Sequence, residues 1–214
     1  MHMKKVTKED LAQVSDAIFL DVRDAASFVG GYYAESIYLA DDEYFTQLLS
    51  LFVAKDSPLV IIAEASVSEK IERTLEEQGY DVLGYLPYEG SATVLPDHDT
   101  EMIIDVDSYE LAIDLPNDDN LLAVDVRSLA EFDQEHLDNA RHLPLIDLTD
   151  VALVASLPEE ANIYVYCSNG NRSATACSLL RIQGLYNIRW IAGGMQNMKQ
   201  QAGLPITKSK AKLN

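Results

Sequence analysis

Apolar residues in this chain fall into short unbroken runs and not into alternating ones. Ala17-Ile-Phe-Leu20, Leu59-Val-Ile-Ile62, Leu121-Leu-Ala-Val124 and Ile163-Tyr-Val-Tyr166 are the clearest. Runs of this length, without a polar residue at every second position, read as strands buried on both faces. The stretches between them read as helices: about Thr7 to Val14 and Asp107 to Ile113, then Asp42 to Phe52 and Leu148 to Ser156. A long helix follows each of the second strands and ends at Gly79 or Gly184, where glycine suits a C-cap. Last strands are expected at Asp81 to Tyr85 and Asn187 to Ile191. Strands alternating with helices imply parallel pairing, hence an α/β fold built on a doubly wound, mostly parallel sheet.

The same order occurs twice. Phe19-Leu-Asp-Val-Arg23 returns as Ala123-Val-Asp-Val-Arg127. Asp21 and Asp125, Phe28 and Phe132, and Leu39 and Leu143 all keep one spacing of 104 residues. A tandem duplication is expected, with a first domain at 4–90, a linker at 91–103 and a second domain at 104–208. The linker is placed by Gly90, Pro96 and the aperiodic polar stretch from Pro87 to Glu101. In the second copy Ser128 and Glu131 have the spacing of a helix capping box. The tail from Ser209 is expected to fray.

Composition changes this picture little: 48% hydrophobic and 24% charged residues are ordinary for a globular protein. No run approaches the roughly 18 apolar residues of a membrane span, and the N-terminus lacks a basic segment followed by an apolar one, so no secretory signal is expected. The net charge of −19 argues against partnership with nucleic acid or an anionic membrane, because both need a basic footprint. The two cysteines, Cys167 and Cys177, read as reduced thiols of a cytoplasmic protein and not as a disulfide.

Chemistry concentrates after the strand ending at Tyr166. The loop Cys167-Ser-Asn-Gly170-Asn-Arg172-Ser173 runs into a helix expected from about Arg172. Backbone N–H groups of such a loop converge on one point, and the helix N-terminus adds positive potential. Both favour a thiolate, which is the nucleophilic form of cysteine. Cys167 is therefore the candidate nucleophile. Gly170 permits a backbone conformation that other residues resist, and Ser168, Asn169 and Asn171 are compact. A metal centre is not expected, since cysteine and histidine ligands do not cluster.

Taken together, Asp125-Val-Arg127, Glu131-Phe132, His142-Leu-Pro144, the Cys-x-x-Gly-x-Arg-Ser loop and Gly193-Gly194 resemble the rhodanese family of sulfurtransferases. The resemblance covers the second copy almost end to end and implies two tandem rhodanese-like domains. It implies that Cys167 takes a sulfane sulfur from thiosulfate or a low-molecular-weight persulfide, becomes a persulfide, and passes the sulfur to cyanide or a thiol, with no cofactor. Residues 168–173 would then hold the donor. A sulfur-carrier protein is a further conceivable acceptor. Phosphatases that share this fold place one more residue between cysteine and arginine, so the loop here suits a sulfur atom better than a phosphoryl group.

Two readings of Arg172 stand side by side: its fork holds the donor's sulfonate or carboxylate, or it ties the loop to Asp125 or Glu131. Asp125, Arg127 and His142 incline to architecture, and Trp190 and Cys177 to core packing. In the first copy the position matching Cys167 is Ala63 or Ile62, and the loop after it carries Glu64 and Glu69 but neither glycine nor arginine. Residues 1–104 hold 7 basic and 20 acidic residues, a net −13, against 9 and 15, a net −6, in residues 105–214. A persulfide anion would be repelled by the first copy, which is expected to be inactive and to serve packing or partner recruitment. The alternative for the whole protein is a non-catalytic interaction or redox-sensing module on the same fold.

Overall fold

A computed structural model of the chain describes residues 4–7, 10, 17–89, 92–93 and 100–208. The expected helix from Thr7 to Val14 and the tail from Ser209 lie largely or wholly outside the described residues. The chain divides into two compact units, 1–102 and 103–214.

In the first unit, β1 (Ile18–Asp21) is followed by α1 (Ala25–Gly30), the short strands β2 (Tyr32–Tyr33) and β3 (Ile37–Tyr38), and α2 (Phe45–Phe52). Then come β4 (Leu59–Ala63), α3 (Ala65–Glu77), β5 (Val82–Glu89), β6 (Ala92–Thr93) and β7 (Thr100–Glu101). The main sheet has the order β3-β1-β4-β5-β6, parallel except for the β5–β6 hairpin. Every residue of β4 is buried, as its unbroken apolar run requires. Lys5 bridges Tyr85 in parallel on the β5 side. Within the span read as a linker, 92–93 and 100–101 are strands, and β7 pairs antiparallel with β2 of its own unit. Residues 91 and 94–99 of that span lie outside the described residues.

The second unit repeats the plan: β8 (Ile104–Val106), α4 (Ser108–Asp114), β9 (Leu121–Asp125), α5 (Leu129–Gln134), β10 (Glu135–Leu137) and β11 (Arg141–His142). A 3-10 turn at Leu145–Thr149 leads to α6 (Val151–Ala155), β12 (Asn162–Tyr166), α7 (Asn171–Ile182), β13 (Ile188–Ile191), α8 (Gly194–Met198) and β14 (Ile206–Lys208). Its sheet is wholly parallel in the order β11-β9-β12-β13-β8. Four strands of each sheet thus follow one order, and helices flank both. Tyr164 and Tyr166 point to one face, where Leu111 of α4 and Met195 and Met198 of α8 cover them. Helix α7 packs on β12 and β13.

The long helices stop where glycine allows. Gly79 and Gly184 have φ of 81° and 89°, and the N–H of the residue after each reaches back to close a Schellman turn, Tyr80 to the Leu75 carbonyl and Leu185 to the Leu180 carbonyl, both at 3.0 Å. The expected capping box is present: Glu131 N–H meets the Ser128 hydroxyl and the Glu131 carboxylate takes the Ser128 N–H. The helix expected at Leu148 to Ser156 is two pieces, because the Asp150 side chain accepts from the N–H groups of Ala152 and Leu153 and so starts a new helix there.

Candidate active site

The carboxyl ends of β9, β12 and β13 converge on one place in the second unit, and in open parallel sheets this end is where ligands are bound. Four residues, Cys167 to Gly170, connect β12 to α7. Gly170 has φ of 104°, and a Cβ on it would stand 2.8 Å from Cζ2 of Trp190. Only glycine can turn the chain there. Its carbonyl is held by the Trp190 indole N–H at 2.8 Å, the Ser173 hydroxyl at 3.0 Å and the Ala174 N–H at 3.0 Å. With the residue fixed from that side, its N–H points back at Cys167 and donates to Sγ at 3.2 Å. That N–H and the start of the twelve-residue α7 place two sources of positive potential against the sulfur.

A second floor supports the loop from below. The N–H groups of Met195 and Gln196, at the start of α8, donate to the carbonyls of Cys167 and Ser168 at 2.8 and 2.9 Å. The approach is close enough that Gly194, with φ of 51°, has no room for a side chain against the Cys167 backbone, while Gly193, with φ of 70°, is crowded by the Asn197 side chain.

The loop's flank is a closed polar network. Arg172 meets the Glu131 carboxylate with both arms of its fork, Nη1 to Oε2 at 2.8 Å and Nη2 to Oε1 at 2.7 Å. The Ser168 hydroxyl donates to Glu131 Oε1 at 2.8 Å and accepts from Arg172 Nη2 at 2.8 Å. The Arg172 guanidinium holds the Glu131 carboxyl well below the usual carboxylate range, and the Ser128 and Ser168 hydroxyls add to this against the opposing effect of burial. Of the two readings of Arg172, the tie to Glu131 is the one formed here.

The other candidate residues sort as follows. Asn169 Oδ1 accepts from the Asn171 N–H at 3.1 Å and lies 3.9 Å from Cys167 Sγ. Ser173 is fully buried on Gly170. Arg127 is ion-paired with Asp125 at 2.6 Å, fully inside, and also donates to the Glu135 carbonyl at 2.7 Å. In the first unit Arg23 pairs with Asp21 at the same 2.6 Å and donates to the Gly31 carbonyl at 2.7 Å. Because the pair recurs without the cysteine, its work is architectural. His142 Nε2 meets the Arg127 carbonyl at 2.9 Å, and its ring stacks on Phe132. Cys177 is buried in α7, and burial pushes its thiol pKa up, with Cys167 reinforcing the shift.

Two contributions escaped the sequence reading, Trp190 as the strut under Gly170 and Gly194 as the close approach of α8; the sequence offers Glu131 as a partner of Arg172, but not as the residue that also gathers Ser168. Glu131 did carry a signal, its capping spacing, but that spacing says nothing of its second oxygen. In the first unit a single residue, Glu64, separates β4 from α3, so the four-residue loop has no counterpart there.

Residues 108–201 match the family model described as "Rhodanese-like domain". A protein of Allochromatium vinosum named "Sulfurtransferase" is 31% identical over 105 residues, covering 49% of this chain and 95% of that protein. An uncharacterised protein of Synechocystis sp. is 38% identical over 96 residues, 45% of this chain, and the chain spans about half of it, 52%. Among solved structures, the rhodanese-like domain of an Anabaena sp. protein is 26% identical, covering 52% of this chain and 84% of that one at a TM-score of 0.46. On the match of its second unit, and on a relative covered nearly end to end, the chain belongs to the rhodanese family.

Proposed function

We propose that the protein is a sulfurtransferase of the rhodanese type working through a Cys167 persulfide. The observation that carries this reading is the Gly170 N–H aimed at Cys167 Sγ from a loop locked by Trp190 and seated on α8. The Cys167 thiolate attacks the outer sulfur of the donor. An Sγ–S bond forms, the donor's S–S bond breaks, and its electron pair leaves as sulfite from thiosulfate or as a thiolate from an organic persulfide. An acceptor, cyanide or a thiol, then attacks the same outer sulfur and returns Cys167 as the thiolate. Fixed N–H donors need no rearrangement as negative charge moves from Sγ to the bound sulfur, which is the logic of an oxyanion hole.

In this reading residues 104–208 are the catalytic domain and residues 4–90 an inactive copy, with Ala63 where the nucleophile would stand and no loop to cradle a sulfur. Residues 168–173 shape and hold the cradle, and a sulfur-carrier protein is a candidate acceptor beside small thiols. Neither a metal nor an organic cofactor enters the scheme.

Incubation with thiosulfate and with organic persulfides, followed by intact mass measurement, is expected to show a gain of one sulfur atom on Cys167. Added cyanide should remove it as thiocyanate. Absence of a Cys167-dependent adduct with every donor would sink the proposal, and transfer surviving Cys167→Ser would sink the assignment of the nucleophile.

A further inference from the structure

Resting on that reading, we infer that the cradle selects an organic persulfide, a sulfane sulfur carried on an uncharged divalent sulfur, over the dianion thiosulfate. Two independent observations point there. The first is charge. Sulfur transfer from thiosulfate brings a dianion against a thiolate, so three negative charges share the site before sulfite departs. A free guanidinium beside the sulfur would relieve this, but Arg172 already meets Glu131 through both arms of its fork. The Ser168 hydroxyl closes the network by bridging the two. Ser168, Asn169 and Asn171 bring no charge of their own to the loop. Arg127, the other arginine of the motif, is bound inside to Asp125. An organic persulfide brings one negative charge at most, and the Gly170 N–H and the start of α7 face it.

The second observation is access. Cys167 is 0% exposed, and its sulfur meets the Gly170 N–H at 3.2 Å. A donor must therefore reach in with its transferable sulfur foremost. In R–S–SH that sulfur stands on a two-coordinate sulfur, a slender arm. In thiosulfate it stands directly on a tetrahedral sulfonate, a bulkier and more highly charged group to bring up to a buried sulfur. The step is Cys167–S⁻ + R–S–SH → Cys167–S–SH + R–S⁻, balanced in atoms and charge with no outside oxidant.

The test compares second-order rates of Cys167 sulfuration, read by quenched intact mass, for 2-hydroxyethyl persulfide and for thiosulfate. The expected rate for the persulfide is greater by about a hundredfold or more. Glu131→Gln keeps an N3 side chain that can still complete the capping box but removes the charge that neutralises Arg172. It should raise the thiosulfate-to-persulfide ratio by about tenfold. A purely structural role for Glu131 would slow both donors alike and leave the ratio where it was. Wild-type sulfuration as fast from thiosulfate as from the persulfide overturns the inference while leaving the sulfurtransferase reading intact, and so does an unchanged ratio in a folded Glu131→Gln protein. If no adduct forms with either donor, both fall. If Glu131→Gln does not fold, the wild-type ratio alone decides.

Discussion

Gly194 lies directly against the backbone of Cys167: a Cβ on Gly194 would stand 2.3 Å from the Cys167 carbonyl oxygen, and its φ is 51°. Helix α8 therefore supports the nucleophile through backbone alone, with Met195 N–H capping that same carbonyl.

Gly194→Ala should accordingly displace α8 from the loop. Left-handed backbone and overpacking each cost a non-glycine residue about 1–3 kcal/mol. A drop of several degrees in melting temperature and a fall in the rate of Cys167 sulfuration of about tenfold or more are expected. A variant that keeps both values would show that the α8 contact does not hold the loop.

Asp125–Arg127 and Asp21–Arg23 offer an internal control, since the geometry is matched and only one unit holds the cysteine. Removing one partner of a buried pair leaves the other uncompensated, at about 3–5 kcal/mol. Asp125→Asn and Asp21→Asn should each destabilise its unit by that order in urea unfolding. Were Asp125→Asn to abolish sulfuration with stability unaltered, the architectural role would be wrong.

These relationships explain what the sequence could and could not disclose. Long buried strands were legible because their side chains are buried on both faces: Leu59–Ala63 and Asn162–Tyr166 announce themselves as apolar runs. The edge strand Ile104–Val106 was not, being three residues with only Val106 buried. Strand β5 runs on through Pro87, opposite Ala63, where proline and the glycine beyond it read as a linker. In the site, Cys167 and Gly170 were legible because local chain geometry decides their roles. The positions of Trp190 and Gly194, and the bond from the Ser168 hydroxyl to Glu131, depend on which strands become neighbours, and no local pattern encodes that.

Glu131 also predicts an acid limb. Its carboxyl pKa is lowered from 4.5 in the folded protein, chiefly by Arg172, so the folded state holds the charged form more tightly than the unfolded chain does. The stability this contributes is present above about pH 5 and is lost as pH falls below about 4.5 toward the folded value. The gap in melting temperature between the wild type and Glu131→Gln should be widest near neutrality and should narrow steadily as pH falls from about 4.5 to 3. A gap independent of pH would show that ionisation of Glu131 is not the source.

Cys177 shares its unit with Cys167 yet should take no part in transfer. It is wholly enclosed in α7, and burial first, then the proximity of Cys167, pushes its thiol pKa up, so the nucleophilic thiolate is scarce at neutral pH. Iodoacetamide should leave Cys177 unmodified in the native protein and modify it in urea. Cys177→Ala should still load one sulfur on Cys167, at a rate within about twofold of wild type, and lose about 1–2 kcal/mol of stability from the small cavity. If Cys177 instead resolved the persulfide, the sulfurated wild type would pass to a Cys167–Cys177 disulfide, releasing the extra sulfur as hydrosulfide. Intact mass would then show the loss of two hydrogens, and the alanine variant would hold its persulfide indefinitely; either result would reassign Cys177 from packing to chemistry.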